Sequence, residues 1–192
     1  MDNDFVKNYW ESRYKAGGDS GLGSHDPESV KFKSDYINRL ITINNFKTIV
    51  ELGCGDGNEL QKLVSYEKYT GYDISETIIG VCSNKFKSDK SKEFVTDINE
   101  IKKNKYDLAL SLDVIYHLVE DSVFKEHMDT LFSVSKNVCL YTTNSGSLAS
   151  AVPHIKHRDV EEFVKENYPK FELVDKKPFT KYNVMFLLFN EK

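Results

Sequence analysis

Thr48-Ile49-Val50-Glu51-Leu52 runs without a break into Gly53-Cys54-Gly55-Asp56-Gly57, and this join decides the fold. The first five residues, β-branched or apolar apart from Glu51, read as a buried strand. The alternating glycines behind it read as a turn, where the backbone reverses and lets a ligand approach with no Cβ in the way. A helix over 57–66 is expected to follow, its first amides facing whatever the loop holds. Strand, glycine turn and helix make a nucleotide-type site at the carboxyl end of a strand, where open α/β sheets bind their ligands.

Outward from this join the chain alternates. Strands are expected over 48–52, 69–73, 93–95, 106–112, 137–142, 171–176 and 183–189, with helices over 57–66, 75–87, 119–134 and 157–168. Such alternation predicts an α/β fold with a mostly parallel sheet and helices on both faces. Ahead of it, Phe5, Tyr9, Trp10 and Tyr14 recur at helical spacing over 5–16, and Asp26-Pro27 opens a second helix over 27–45. Between them Gly17 to Ser24 is so rich in glycine and serine that a mobile loop is expected, suited to a lid. The organisation is therefore N-terminal helices and lid over 1–45 and a core over 46–192, within one structural domain.

The spacing of the loop narrows its ligand. A dinucleotide fingerprint, G-x-G-x-x-G, needs a third glycine where this chain has Asn58. Glu51 ahead of the loop repels a pyrophosphate and suits a ligand that carries an ammonium and no phosphate. Asp73 ends the second strand, where a carboxylate can accept from both ribose hydroxyls or cap the helix that starts at Ser75. Asp97 is either a ligand contact after strand three or a solvated loop carboxylate, and Asp113 stands at the carboxyl end of the apolar strand 106–112.

Over residues 46 to 143 these features resemble the class I S-adenosylmethionine-dependent methyltransferases. Glu51-Leu-Gly53-Cys54-Gly55-Asp-Gly57 looks like the family's first motif, and Asp73 with Ile74 looks like its ribose-binding turn. Asp97 with Ile98 resembles the pair that meets adenine, and Asp107 to Leu118, with Leu112 and Asp113 at its turn, resembles the fourth strand and the helix after it. The resemblance implies S-adenosyl-L-methionine as cofactor and a seven-stranded Rossmann-like sheet of order 3-2-1-4-5-7-6 with the last strand reversed. It also excludes classes. Amino-group methylases of DNA and glutamine carry an Asn/Asp-Pro-Pro-aromatic tetrapeptide where this chain has Leu112-Asp113-Val114-Ile115, and cytosine C5 enzymes need a Pro-Cys nucleophile that is absent here. Aminopropyl transferases carry a different acidic, proline-containing motif after strand four.

Composition agrees with one ordinary domain: 192 residues, 40% hydrophobic and 29% charged. A net charge of -4 supplies no field for a polyanion, so nucleic acid is not the expected partner. Cys54, Cys82 and Cys139 lie far apart and read as reduced thiols. No basic, apolar leader opens the chain, and the run Val184 to Phe189 is too short to cross a bilayer, so a cytoplasmic protein without membrane contact is expected. The oligomeric state stays open.

Methyl transfer from a sulfonium is an in-line displacement, so the protein must align donor and acceptor and exclude water. A base is needed only where the acceptor keeps its proton. Candidates are Tyr116 and His117 after strand four, and His154 and His157 after strand five. The H-x-x-H spacing of the last two lacks a third ligand, so no metal is expected. Arg13 and Arg158, two of three arginines, are candidates to grip an anionic substrate beside Tyr14. The stretch Tyr9 to Ser24 with His154 to Arg158 also looks similar to small bacterial methyltransferases that accompany surface saccharide genes. That resemblance implies a saccharide, phospho-sugar or related metabolite; the function expected is methyl transfer, O-methylation before others, to a small anionic or saccharide-type metabolite, and the alternative is a catalytically silent cofactor-binding partner or sensor.

Overall fold

The computed structural model describes residues 4–146, 148, 150 and 152–192. The strand β1 (Thr48–Leu52) lies inside the sheet, paired in parallel with β2 (Lys68–Tyr72) on one side and β4 (Leu108–Leu112) on the other. Outward from these come β3 (Lys92–Val95) and β5 (Asn137–Thr142), both parallel, then β7 (Val184–Glu191) antiparallel to β5 and β6 (Phe171–Phe179) at the edge. The order is 3-2-1-4-5-7-6, as expected, with β7 running against its parallel neighbour. Every parallel strand therefore points its carboxyl end at one rim, and the loops that leave that rim build the site.

Alternate side chains of β1 serve opposite faces. Ile49 joins Ile37 and Ile41 of α3 (Pro27–Asn44) in one apolar cluster, while Val50 and Leu52 join Met128 and Leu131 of α6 (Asp121–Val134) in the other. Burial of each such side chain contributes about 1.5–3 kcal/mol, so the two-sided packing commits the register of β1. On the α3 face lies also α4 (Glu76–Lys85), and with α6 lie α5 (Ile98–Lys102) and α7 (Val160–Asn167).

Three expectations are corrected. The helix over 57–66 is absent: Gly57 takes a left-handed φ of 64°, Asn58 folds its amide onto the Asp56 carboxylate, and only a 3-10 turn at Leu60–Lys62 forms. Leu60 and Leu63 reach the core while Val64 is 54% exposed, so the apolar run does not keep a helical face. Secondly, the short α5, capped by Asp97, occupies a stretch outside the expected helices. Thirdly, the glycine-rich loop contains α2 (Leu22–His25) and is bonded to the rest of the protein, not free of it. The helix α1 (Asp4–Lys15) precedes that segment.

Candidate active site

The glycine loop is held open by the neighbouring strand. Gly53 and Cys54 both donate their amides to the Tyr72 carbonyl, at 2.7 and 3.0 Å, which turns the chain away from β1. Gly53 has a φ of 84°, and a Cβ there would press on the Val114 side chain, so only glycine lets the loops after β1 and β4 approach this closely. Gly55 donates its amide to Asp73 Oδ2 at 3.1 Å, and Ser75 donates to Asp73 Oδ1 at 3.0 Å. Each carboxylate oxygen keeps acceptor capacity for another donor. Burial pushes Asp73 up to about 6 although these amides pull it down. Glu51, 3% exposed, accepts the Tyr69 hydroxyl at 2.6 Å, and burial raises it to about 7.

The N-terminal segment closes over both halves of this loop. Glu11 on α1 accepts the hydroxyls of Ser75 (2.5 Å) and Thr77 (2.6 Å) at the start of α4. Ser20 donates its amide to Asp56 and accepts the Asp56 amide on its hydroxyl, which also meets Tyr14 at 3.1 Å. His25 meets the same Asp56 carboxylate at 2.7 Å, and Asn58 donates to the Ser24 carbonyl. Apart from Tyr14 and Ser20, six residues apart, none of these partners lies close in sequence, and Glu11, Ser20 and His25 were not among the candidate site residues read from the sequence.

At the end of β4, Asp113 has a left-handed φ of 60°. Its Oδ2 faces the Lys33 ammonium at 2.7 Å and its Oδ1 accepts the Tyr116 hydroxyl at 2.8 Å. Tyr116 is thus bound inward, and burial raises its phenol well above the ordinary range. His117 lies beside it, edge-on to Trp10 with ring centres 5.1 Å apart, and its Nδ1 pairs with the His154 carbonyl at 3.1 Å. Burial lowers His117 to about 4. The sequence did not single out His127 on α6, which meets Ser111 at 2.8 Å, lines the same cleft and is also lowered to about 4 by burial.

One cleft gathers most of the expected residues. Glu51, Gly53, Cys54, Gly55, Asp73 and Ile74 line it together with Ile98, Leu112 and Asp113, and so do Tyr14 and His117. The remaining candidates lie elsewhere. Gly57 packs against Phe86 and Cys82, and Asp97 is exposed with Oδ1 capping α5. His154 stacks on Tyr9 (4.6 Å), while His157 meets Thr143 Oγ1 at 2.9 Å. Arg13 is spent on Asp19, and Arg158 is folded over Phe124 with its guanidinium on Asp121 and the Val119 carbonyl.

Charge gives the cleft its chemistry. Among the described residues it is lined by Glu51, Glu59, Asp73, Asp113 and Glu126, with no lysine or arginine in its wall. Such a donor set fits a cationic ligand with an ammonium and ribose hydroxyls, and opposes a phosphate. No group of metal-binding side chains occurs among the described residues.

Comparison with known proteins agrees with this geometry. The methyltransferase domain family matches residues 50–139. The magnesium protoporphyrin IX methyltransferase of Synechocystis PCC 6803, solved with bound S-adenosylhomocysteine, aligns over 100% of both chains at 18% identity and a TM-score of 0.73. The N-methyltransferase NodS of Bradyrhizobium japonicum WM9, also with S-adenosylhomocysteine, aligns over 97% of this chain and 98% of its own at 14% identity and a TM-score of 0.73. An S-adenosylmethionine-dependent methyltransferase of Clostridium acetobutylicum ATCC 824 covers 82% of this chain and 90% of its own at 15% identity and a TM-score of 0.64. No curated protein sequence matches the chain. A match to the methyltransferase domain family at residues 50–139, set in a seven-stranded sheet of this order, gives the chain the class I S-adenosylmethionine-dependent methyltransferase fold.

Proposed function

We propose that the protein methylates a hydroxyl of a small, uncharged metabolite of the saccharide type, with His117 as general base. The observation that carries this reading is the bond from His117 Nδ1 to the His154 carbonyl. A carbonyl only accepts, so Nδ1 carries the proton and Nε2 keeps its lone pair. In a buried, neutral imidazole that lone pair is the natural acceptor for a hydroxyl proton.

S-adenosylmethionine, when bound, supplies an electrophilic methyl group on a sulfonium. The chain's part is to bind, orient and keep dry. Glu51 and Asp73 accept from an ammonium and from ribose hydroxyls, and Ile74 and Ile98 offer apolar walls for a purine. Trp10 and Tyr14, stacked with ring centres 5.7 Å apart, give the acceptor end a face on which a sugar ring can pack. The residues 4–25 cover the cleft and exclude water.

An anionic acceptor, the other expectation, loses support from this geometry. Arg13 and Arg158 are both tied to other carboxylates, and the cleft wall carries carboxylates of its own. The test is transfer of labelled methyl from S-adenosylmethionine to a panel of neutral sugars, sugar phosphates, carboxylates and amines. Label on a neutral hydroxyl supports the reading, whereas label confined to phosphates, carboxylates or amines contradicts it. Tight cofactor binding with no transfer to any acceptor would favour the binding-module alternative.

A further inference from the structure

Lysine is seldom fully buried without a purpose, because the ammonium loses its hydration and its long side chain loses its freedom. Lys33 is 0% exposed, in the middle of α3. Its ammonium meets Glu59 and Asp113 together and lies 5.3 Å from the Tyr141 ring centre. Both carboxylates line the cleft: Glu59 comes from the exit of the glycine loop and Asp113 from the turn after β4. One cation thus spans the two loops that frame the site. Gly23 of the covering segment packs on Asp113 as well, for a Cβ there would fall 2.8 Å from Oδ2.

We propose that Lys33 is a positioning residue for methyl transfer, keeping Asp113 and Glu59 oriented at the cleft wall; this rests on the functional reading above. Burial pushes the Glu59 carboxyl up to about 8, and the ammonium opposes that rise. Burial lowers the lysine, and the two carboxylates overcome that and raise it, so the ammonium stays charged. The charged and titratable groups that face this triad are Glu51 from β1, Tyr116 and His117 from the turn after β4, and Tyr141 from β5. Removing the ammonium leaves two buried carboxylates with no counter-charge, and Glu59, already at about 8 through burial, then holds its proton to still higher pH. A cation-binding cleft that loses charge binds its ligand only in more alkaline solution.

The experiment is calorimetric titration of S-adenosylmethionine across pH for the wild type, Lys33→Met and Glu59→Gln, with melting temperatures in parallel. The pH at which binding tightens should rise by about one unit or more in Lys33→Met, with affinity near neutrality down about tenfold. In Glu59→Gln it should fall, because one repelling carboxylate is gone while Lys33 remains. Methionine in place of a buried ion is often tolerated, so Lys33→Met is expected to fold; should it not, the Glu59→Gln direction decides. A merely structural lysine moves the melting temperature and leaves both profiles where they were, which overturns the proposal, as does a shift in the same direction for both variants. A wild-type protein that binds no S-adenosylmethionine overturns the functional reading first and this inference with it.

Discussion

His117 donates its Nδ1 proton to the main-chain carbonyl of His154, 3.1 Å away, and that bond decides which of its nitrogens can act as a base. Burial holds the ring at about 4, against the upward pull of the same bond, so it is neutral across the physiological range. Turnover should therefore show no acid limb near the ordinary 6.5 of a free histidine. His117→Ala should lower single-turnover methyl transfer by roughly a hundredfold, with cofactor affinity nearly intact. A limb near 6.5, or a variant as fast as the parent, would remove His117 as the base.

Glu51 makes stability and binding oppose each other. Its folded value of about 7 lies above the ordinary 4.5, so between those values the folded protein keeps a proton that the unfolded chain has released. Stability is untouched below the lower value, falls as pH rises from it to the upper one, and is level beyond, the loss being on the order of 3 kcal/mol in all. Glu51→Gln keeps an acceptor for Tyr69 and should raise the melting temperature of the cofactor-free protein in mildly alkaline buffer but not in buffer at or below the ordinary 4.5. The same variant should bind S-adenosylmethionine at least about tenfold more weakly. Scanning calorimetry at the two pH values checks it; equal shifts at both would mean that ionisation is not the cause.

Asp73→Ala removes a carboxylate that organises the loop through Gly55 and Ser75 and still has acceptor sites to offer. Loss of charge-assisted hydrogen bonds of this kind costs on the order of 2 kcal/mol, or about thirtyfold in affinity for S-adenosylmethionine. Unchanged affinity in a titration would take Asp73 out of the site.

The fold was legible because its signal is local and repeated. β1 and its glycine turn, the apolar strands β4 and β5, and the order of elements all follow from runs of neighbouring residues. The 57–66 stretch misled because its leucines imitate a helical period, while Gly57 and the Asp56–Asn58 turn set the backbone otherwise. Asp97 showed an acid but not that it would start α5. The site was legible only where a loop carries it. Lys33 meets Asp113 across 80 residues, Glu11 meets Ser75 across 64, and Ser20 meets Asp56 across 36, and no local pattern announces such pairs. Arg13 and Arg158 drew notice by type, yet nearby carboxylates hold them outside the cleft.

The Glu11 clasp should govern exchange of the cofactor. Hydrogen bonds from Ser75 and Thr77 lower its carboxyl to about 2, so the clasp is fully formed above the ordinary 4.5 and is lost only as pH falls toward that lower value. Glu11→Gln should speed amide hydrogen exchange over residues 4–25 and accelerate release of bound S-adenosylhomocysteine in stopped flow. Exchange and release rates equal to the parent's would show that α1 is not fastened through this residue.

A carboxylate-lined cleft with a glycine turn should take a cationic sulfonium cofactor and refuse a dinucleotide, and every step assigned to His117, Asp73 and Lys33 depends on that choice. Calorimetric titration of the wild-type protein with S-adenosylmethionine and, separately, with NAD, from about pH 5 to about pH 8, decides it. S-adenosylmethionine should bind and tighten as pH rises and Asp73 and Glu51 ionise, at about 6 and about 7, while NAD should produce no binding heat. Binding of NAD as tight as that of S-adenosylmethionine, or no binding of S-adenosylmethionine at any pH, would contradict this assignment.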